Sequence, residues 1–240
     1  TCAKLGYDVL RPAFVPDYLK SLRIAKRIAP DLLIMGSTGG TLGIPDGSSM
    51  SEVVKRVYTE LGAVAREMGE RVEGNIEGIR RQVDAGADII VDCTDFCLKE
   101  GPFFKPSIYK ELIFPHLKML VDAAHRRGIP FIMHTDGNLW PILEDLVSTG
   151  IDALHSLDPS AGMRILDVKK LYGERLALCG NVDAASLLAY GSADAVAREA
   201  RNCIDEGAPG GGYFLTSSNC IYRAVPVANA LALAQVGREY

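Results

Sequence analysis

PFIMHTDGNLWPIL, residues 130–143, holds the reading that decides the fold. A short apolar run ends in His134, Thr135, Asp136, Gly137 and Asn138, and a helix-like pattern begins almost at once. An apolar run of this length bounded by turn residues suits a strand covered on both faces, as in a parallel sheet. Side chains alternate along a strand, so Ile132, His134 and Asp136 share one face while Phe131 and Met133 share the other. The expectation is a strand whose Phe131 and Met133 meet a helix layer, and whose opposite face ends in a histidine and a carboxylate.

The same unit recurs outward from this stretch. DLLIMGSTGG (31–40), ADIIVDCTD (87–95), IDALHSLD (151–158), RLALCGNVD (175–183) and GYFLTSSNC (212–220) are apolar runs that close in polar residues, and YDVLRPAFV (7–15) is a weaker seventh. Helical spacing fills the intervals. Residues 50–85 have room for more than one helix, with Val53, Val54, Val57, Leu61 and Val64 on one stripe. A helix over 106–127 carries Pro115 as a kink. Shorter helices fit 139–149, 162–172, 184–206 and 226–238, and Gly86, Gly128, Gly150 and Gly173 stand just past helix ends, where a left-handed cap is wanted. GAPGGGYF (207–214) precedes a strand, whereas phosphate loops follow one, so it reads as a helix-to-strand connection.

Strands alternating with helices mean a parallel sheet with right-handed crossovers. An open doubly wound sheet gathers its site at one crevice, while a closed (β/α)8 barrel draws on many strand ends. Polar residues end nearly every strand here, which favours the barrel, a single domain over residues 1–240. Six clear strands and one weaker one leave at least one strand outside this chain. The first residue is Thr1 rather than Met, which points to a start lying upstream.

Composition bounds the function. The 240 residues are 48% hydrophobic and 23% charged, with a net charge of -4, so nothing calls for nucleic acid or an anionic membrane as partner. No apolar run approaches the roughly 20 residues of a membrane helix, and no signal peptide is visible. The cysteines Cys2, Cys93, Cys97, Cys179, Cys203 and Cys220 form no C-x-x-C pair and read as reduced thiols of a cytoplasmic protein. Cys93, Cys97, Cys179 and Cys203 are expected to be small buried residues.

Alternation then predicts the mouth. If Ile89 and Val91 pack outward, Asp92 faces inward; Ala153 goes with His155, and Asn181 with Asp183. The expected cluster is Asp92, Asp95, His134, Asp136, His155, Asn181, Asp183, Asn219 and Cys220, the makeup of a metal or acid/base site. An aspartate at a strand end serves as an N-cap more often than as a ligand, and Asp158 and Asp183 read that way first. His116 and His125 lie in a helix and read as packing or surface residues.

FFKPSIYKELIFPHLKMLVDAAHRRGIPFIMHTDGNLWPILEDLVSTGIDALHSLD, LALCGNVDAASLL and GGGYFLTSSNCI, in that order, resemble the uroporphyrinogen decarboxylase superfamily. The resemblance covers residues 87–240 well and the earlier part loosely. It implies a (β/α)8 TIM barrel longer than this chain, and two reactions. One branch decarboxylates a porphyrinogen bearing many carboxylates, using an arginine-rich N-terminal segment and a histidine in the last strand. Here that strand reads Ser218-Asn219-Cys220, without the histidine. The other branch moves a methyl group between a corrinoid protein and a small acceptor, with zinc held by a His-x-Cys pair and a later Cys. Here the pair is His134-Thr135-Asp136, and Cys220 lies at or one residue from the later position. The resemblance thus implies zinc on His134, Asp136 and Cys220, while the mouth predicted by alternation assigns catalytic roles to Asp92, Asp95, Asn181 and Asn219 and cofactor contacts to His155 and Asp183. The strand ends carry aspartates, histidines and asparagines but hardly any arginine, Arg164 and Arg223 being the nearest, and this favours zinc-dependent methyl transfer with a corrinoid protein as partner over a polycarboxylate substrate. Uroporphyrinogen decarboxylation and a non-catalytic tetrapyrrole-binding barrel are the alternatives, and a homodimer is a candidate assembly.

Overall fold

The computed structural model describes residues 8–12 and 16–240. Cys2 and the ends of the 7–15 stretch lie outside the described residues. The seven expected strands form one sheet in the order β1-β2-β3-β6-β7-β8-β9. They are β1 (Val9–Leu10), β2 (Leu33–Thr38), β3 (Ile89–Cys93), β6 (Phe131–Thr135), β7 (Ala153–Ser156), β8 (Ala177–Val182) and β9 (Tyr213–Ser217). Every neighbouring pair is parallel. A small antiparallel hairpin, β4 (Cys97–Leu98) and β5 (Gly101–Pro102), was not legible in the sequence.

The sheet curls around an apolar interior. Ile89, Val91, Ile132, Ala153 and Cys179 form one buried cluster, with Met35 and Ala177 against it. The opposite faces of the same strands supply Ile90, Phe131, Met133, Leu154 and Leu178 to a larger core shared with the helices. This is the barrel layering of the (β/α)8 class. Among the described residues no strand joins β9 to β1, so seven of eight strands are present.

The helices follow the apolar stripes. They are α1 (Tyr18–Ile28), α2 (Met50–Thr59), α3 (Leu61–Asp84), α4 (Phe114–His125), α5 (Leu143–Val147), α6 (Ile165–Tyr172), α7 (Leu187–Tyr190), α8 (Ala193–Gly207) and α9 (Val227–Glu239). Pro115 lacks an N–H and would press on a carbonyl four residues back; a π-helical turn, Tyr109–Ile113, precedes it and absorbs the misfit. Gly86, Gly128 and Gly150 take positive φ, as the cap reading requires. Gly173 does not: its φ is -60°, and glycine is needed there because a Cβ would lie 2.6 Å from the Lys169 carbonyl. Gly210, Gly211 and Gly212 make the tight turn into β9, all with positive φ.

One facing assignment reverses. Register places Val91 beside Ile132 and Asp92 beside Met133, so Ile89 and Val91 point inward and Asp92 points to the helix layer. Ile89, Ile90 and Val91 are all apolar, and both faces of a barrel strand are covered, so alternation alone had no leverage.

Candidate functional site

The mouth is assembled around β6. His134 lies at its inward end, and Thr135, on the other face, accepts a hydrogen bond at 2.9 Å from the Phe96 amide. Tyr109 donates to the Phe96 carbonyl at 2.5 Å. The Asn138 amide donates to the Leu98 carbonyl at 3.0 Å. The loop after β3 is thereby pinned across the end of β6. Gly137 has φ +85°, and a Cβ there would sit 2.5 Å from both the Cys97 and Leu98 carbonyls, so the chain reverses only with glycine. This explains the burst after the apolar run: Thr135, Gly137 and Asn138 build the loop contact, and His134 and Asp136 are left at the mouth.

The pinned loop delivers Asp95. Its Oδ1 accepts from the Asp136 amide at 3.1 Å. Ligand-grade atoms of Asp95, His134 and Asp136 lie within 4.8 Å of one another. Asp136 is oriented by Asn219, whose Nδ2 donates to Oδ2 at 2.5 Å. Asp136 Oδ1 is buried without a hydrogen-bond partner and lies 4.0 Å from His134 Nε2. Burial raises the Asp136 carboxyl above its ordinary range, and the Ser156 hydroxyl, then the nearby His134, oppose that rise. An oriented carboxylate oxygen, buried and unpartnered, beside an imidazole nitrogen and a second carboxylate, is a donor set that fits a divalent cation.

His155 stands beside His134 on the neighbouring strand. The two Nδ1 atoms are 2.6 Å apart, and His155 Nε2 lies 3.2 Å from the Ser217 carbonyl oxygen. Burial, and next the proximity of His134, hold the His155 pKa down to about 4, so its imidazole is neutral at physiological pH.

Of the residues expected at the mouth, Asp95, His134, Asp136, His155 and Asn219 come together there. Asp92 does not: it is fully buried on the helix side, with Thr94 donating to Oδ1 at 2.5 Å and Oδ2 unpartnered. Asn181 turns away as well. Its amide donates at 2.9 Å to the carbonyls of both Leu157 and Met163, and Cys203 Sγ lies 3.5 Å from Oδ1. Those two carbonyls belong to the buried loop after β7 and need donors, which Asn181 supplies. Asp183 caps the following turn, accepting from the amides of Ala185 at 2.8 Å and Ser186 at 3.1 Å, and from the Ser186 hydroxyl. Asp158 caps likewise, through Ser160 N at 2.9 Å. Cys220 is exposed beyond the end of β9, outside the converging ligand atoms; its amide bonds to Asn219 Oδ1 at 2.6 Å. Asp95, expected as a catalytic residue, joins His134 and Asp136 where Cys220 was expected to. His116 and His125 engage the Leu112 carbonyl and Asp152, away from the mouth.

Two mouth residues escaped the sequence reading. Arg11 follows β1 and reaches Ser37 Oγ at 3.1 Å and Cys93 Sγ at 3.5 Å. Cys93 is exposed rather than buried, and it stands beside His134 on the inward face. The available signal was the shared one, a polar residue closing a short apolar run; β1 is only two residues long, so its run was too faint to use.

With this geometry in view, the comparisons with known proteins are specific. A family model described as "Uroporphyrinogen decarboxylase (URO-D)" matches residues 8–240. The uroporphyrinogen decarboxylase of Aliivibrio salmonicida is 27% identical over 221 residues, covering 87% of this chain and 59% of that protein. The methylcobamide:CoM methyltransferase MtaA of Methanosarcina barkeri is 24% identical over 236 residues, covering 97% of this chain and 66% of that one. A solved methyltransferase from Methanosarcina mazei superposes with a TM-score of 0.77 at 21% identity, over 95% of this chain and 67% of its own, and so shares the fold. The chain therefore spans 59% and 66% of the length of these two curated relatives. No helix among the described residues is long and apolar enough to cross a membrane. The family match over residues 8–240, together with the barrel, shows that this chain belongs to the uroporphyrinogen decarboxylase (URO-D) family.

Proposed function

We propose that the chain is the barrel of a zinc-dependent methyltransferase, moving a methyl group from a methylcorrinoid carried by a partner protein to a small acceptor. The observation that carries this reading is the convergence of Asp95, His134 and Asp136, with Asp136 Oδ1 buried and unpartnered. Three protein ligands with an open position are the usual arrangement of a catalytic zinc. A bound zinc ion would supply Lewis acidity that keeps an acceptor thiol deprotonated at neutral pH. The chain's own residues do the rest. His134 and the two carboxylates hold the donors in place, Asn219 locks the Asp136 carboxylate, and Asp95 stays exposed at the mouth, where the acceptor enters. MtaA, by its name, performs methyl transfer of this class.

The decarboxylase reading has one observation of its own. Arg11 brings a cation to the inward face beside Ser37 and Cys93. A porphyrinogen bearing many carboxylates needs several such cations. The residues brought together at the mouth include two carboxylates and a neutral imidazole, which favour a bound cation. A non-catalytic tetrapyrrole-binding barrel needs the same additional cations.

Metal titration tests the site directly. Zinc should bind at one ion per chain; Asp136→Asn and His134→Ala should weaken it at least tenfold, and Cys220→Ala should leave it unchanged. The reaction is tested by incubating the full-length protein separately with uroporphyrinogen and with methylcobalamin plus a thiol. Carbon dioxide released from the first, with no demethylation of the second, would replace this reading with the decarboxylase one.

A further inference from the structure

We propose that His155 is a positioning residue: it fixes the His134 ring as the tautomer protonated on Nδ1, and so presents the Nε2 lone pair to Asp95 and Asp136. The Ser217 carbonyl oxygen can only accept, so the 3.2 Å contact to His155 Nε2 requires the proton on that nitrogen. A neutral imidazole carries one N–H, so His155 Nδ1 is a lone pair. The 2.6 Å contact between the two Nδ1 atoms is then a hydrogen bond only if His134 Nδ1 donates. That leaves His134 Nε2 as the atom facing Asp136 Oδ1, 4.0 Å away. The order is set by the backbone: β7 holds His155 in register with His134, and the last residue of β9 supplies the terminal acceptor.

The chemistry needs this order. A histidine that ligates a cation does so through a bare nitrogen, and the partner on its other nitrogen fixes both tautomer and ring direction. In this barrel a histidine on the adjacent strand fills the role that a carboxylate or carbonyl commonly fills. A neutral partner adds no third negative charge beside Asp95 and Asp136, and it transmits the acceptor character of a backbone carbonyl across two rings. His155 is therefore assigned no contact with substrate or ion; it acts through His134.

The inference rests on the cation-binding reading for its effect on affinity, but the tautomers themselves can be read without metal. Nitrogen-15 shifts of the metal-free protein, recorded at about pH 8.5, above the ordinary imidazole range, should show His134 protonated on Nδ1 and His155 on Nε2. A proton on His134 Nε2, or on His155 Nδ1, overturns the proposal whatever the protein binds. Two variants then separate positioning from bulk. His155→Gln keeps an acceptor for His134 and a donor for Ser217, while His155→Phe fills the space with neither. Phe should weaken zinc binding by about ten- to a hundredfold and release the His134 proton from Nδ1, whereas Gln should stay within a few-fold of wild type. Equal zinc affinity in wild type, Gln and Phe would sink the proposal while leaving the metal site intact. Failure of the wild type to bind zinc, with the tautomers as assigned, would instead remove the metal reading and keep the relay. Circular dichroism of both variants guards against loss of fold, and an unfolded Phe variant leaves the tautomer spectrum and Gln as the deciding measurements.

Discussion

Asp92 shows how far one residue can depart from its expected role. It lies at a strand end, in an aspartate-rich sequence, yet it is fully buried against the helix layer. Burial pushes its pKa up to about 6, against the pull of the Thr94 hydroxyl. In the unfolded chain an aspartate titrates near pH ~3.9. A folded pKa raised above the unfolded one means the native state holds its proton more tightly. The cost of ionising Asp92 in place is therefore absent at low pH, grows as pH rises through that window, and is complete above about pH 6. Asp92→Asn removes the titration. We expect the stability difference between Asn and wild type to shift by roughly 2–3 kcal/mol toward Asn between about pH 4 and pH 8. Paired urea titrations at the two ends of that range would measure it. A constant difference would mean that Asp92 titrates normally and is hydrated in solution. Nothing in residues 89–92 disclosed this in advance, since Ile89, Ile90 and Val91 fit either face. His134 and Asp136 were legible because Phe131 and Met133 are bulkier than Ile132 and because the polar pair falls on one parity.

At the scale of elements, the strands and most helix ends were readable from apolar runs and glycines, but the connections were not. The β4–β5 hairpin comes from CLKEGP, residues 97–102, which carries no alternation long enough to see. Asp95 was expected at the mouth from its place after the 87–95 run, but the contacts that hold it beside His134, Phe96 to Thr135 and Asn138 to Leu98, come from this loop and hairpin. Asn181 is the converse case. Strand parity carried it toward the mouth, and the unmet carbonyls of the loop after β7 drew it to the other side. It joins β8 to that loop and does no chemistry there. Asn181→Ala should thus cost roughly 1–3 kcal/mol of stability, because buried acceptors lose their donor, while zinc affinity stays at the wild-type value. Urea midpoints and a metal titration on one preparation separate the two effects. A large loss of zinc affinity in a stably folded Ala variant would return Asn181 to the site.

The whole molecule turns on an unclosed sheet. The sequence showed seven strand signals against the eight of a closed barrel, and among the described residues β9 and β1 remain the two edges of the sheet. The interior is legible from that edge. Phe214, in register with the inward-facing Cys179, is 42% exposed, whereas Cys179 is buried. Leu33, next to β1, is also 42% exposed, and Ile28 ahead of it is 69% exposed. The exposed Phe214 on edge strand β9, and the exposed Leu33 and Ile28 behind edge strand β1, give the two open edges apolar surface for another strand. Within the curated relatives, about two-fifths or one-third of the length lies outside the matched stretch, and such a segment would have room for the closing strand. The 240-residue chain by itself has a second route, pairing edge to edge with another copy. We expect its sedimentation to show concentration-dependent self-association, and Phe214→Lys, which places a charge on the exposed inward face, to shift it toward monomer. The substitution lies on the edge strand and leaves Asp95, His134 and Asp136 in place, so zinc binding should persist in the monomer. A wild-type chain that sediments as a monomer at every concentration, unaltered by the lysine, would show that the edges are closed in solution by a contact the described residues do not contain.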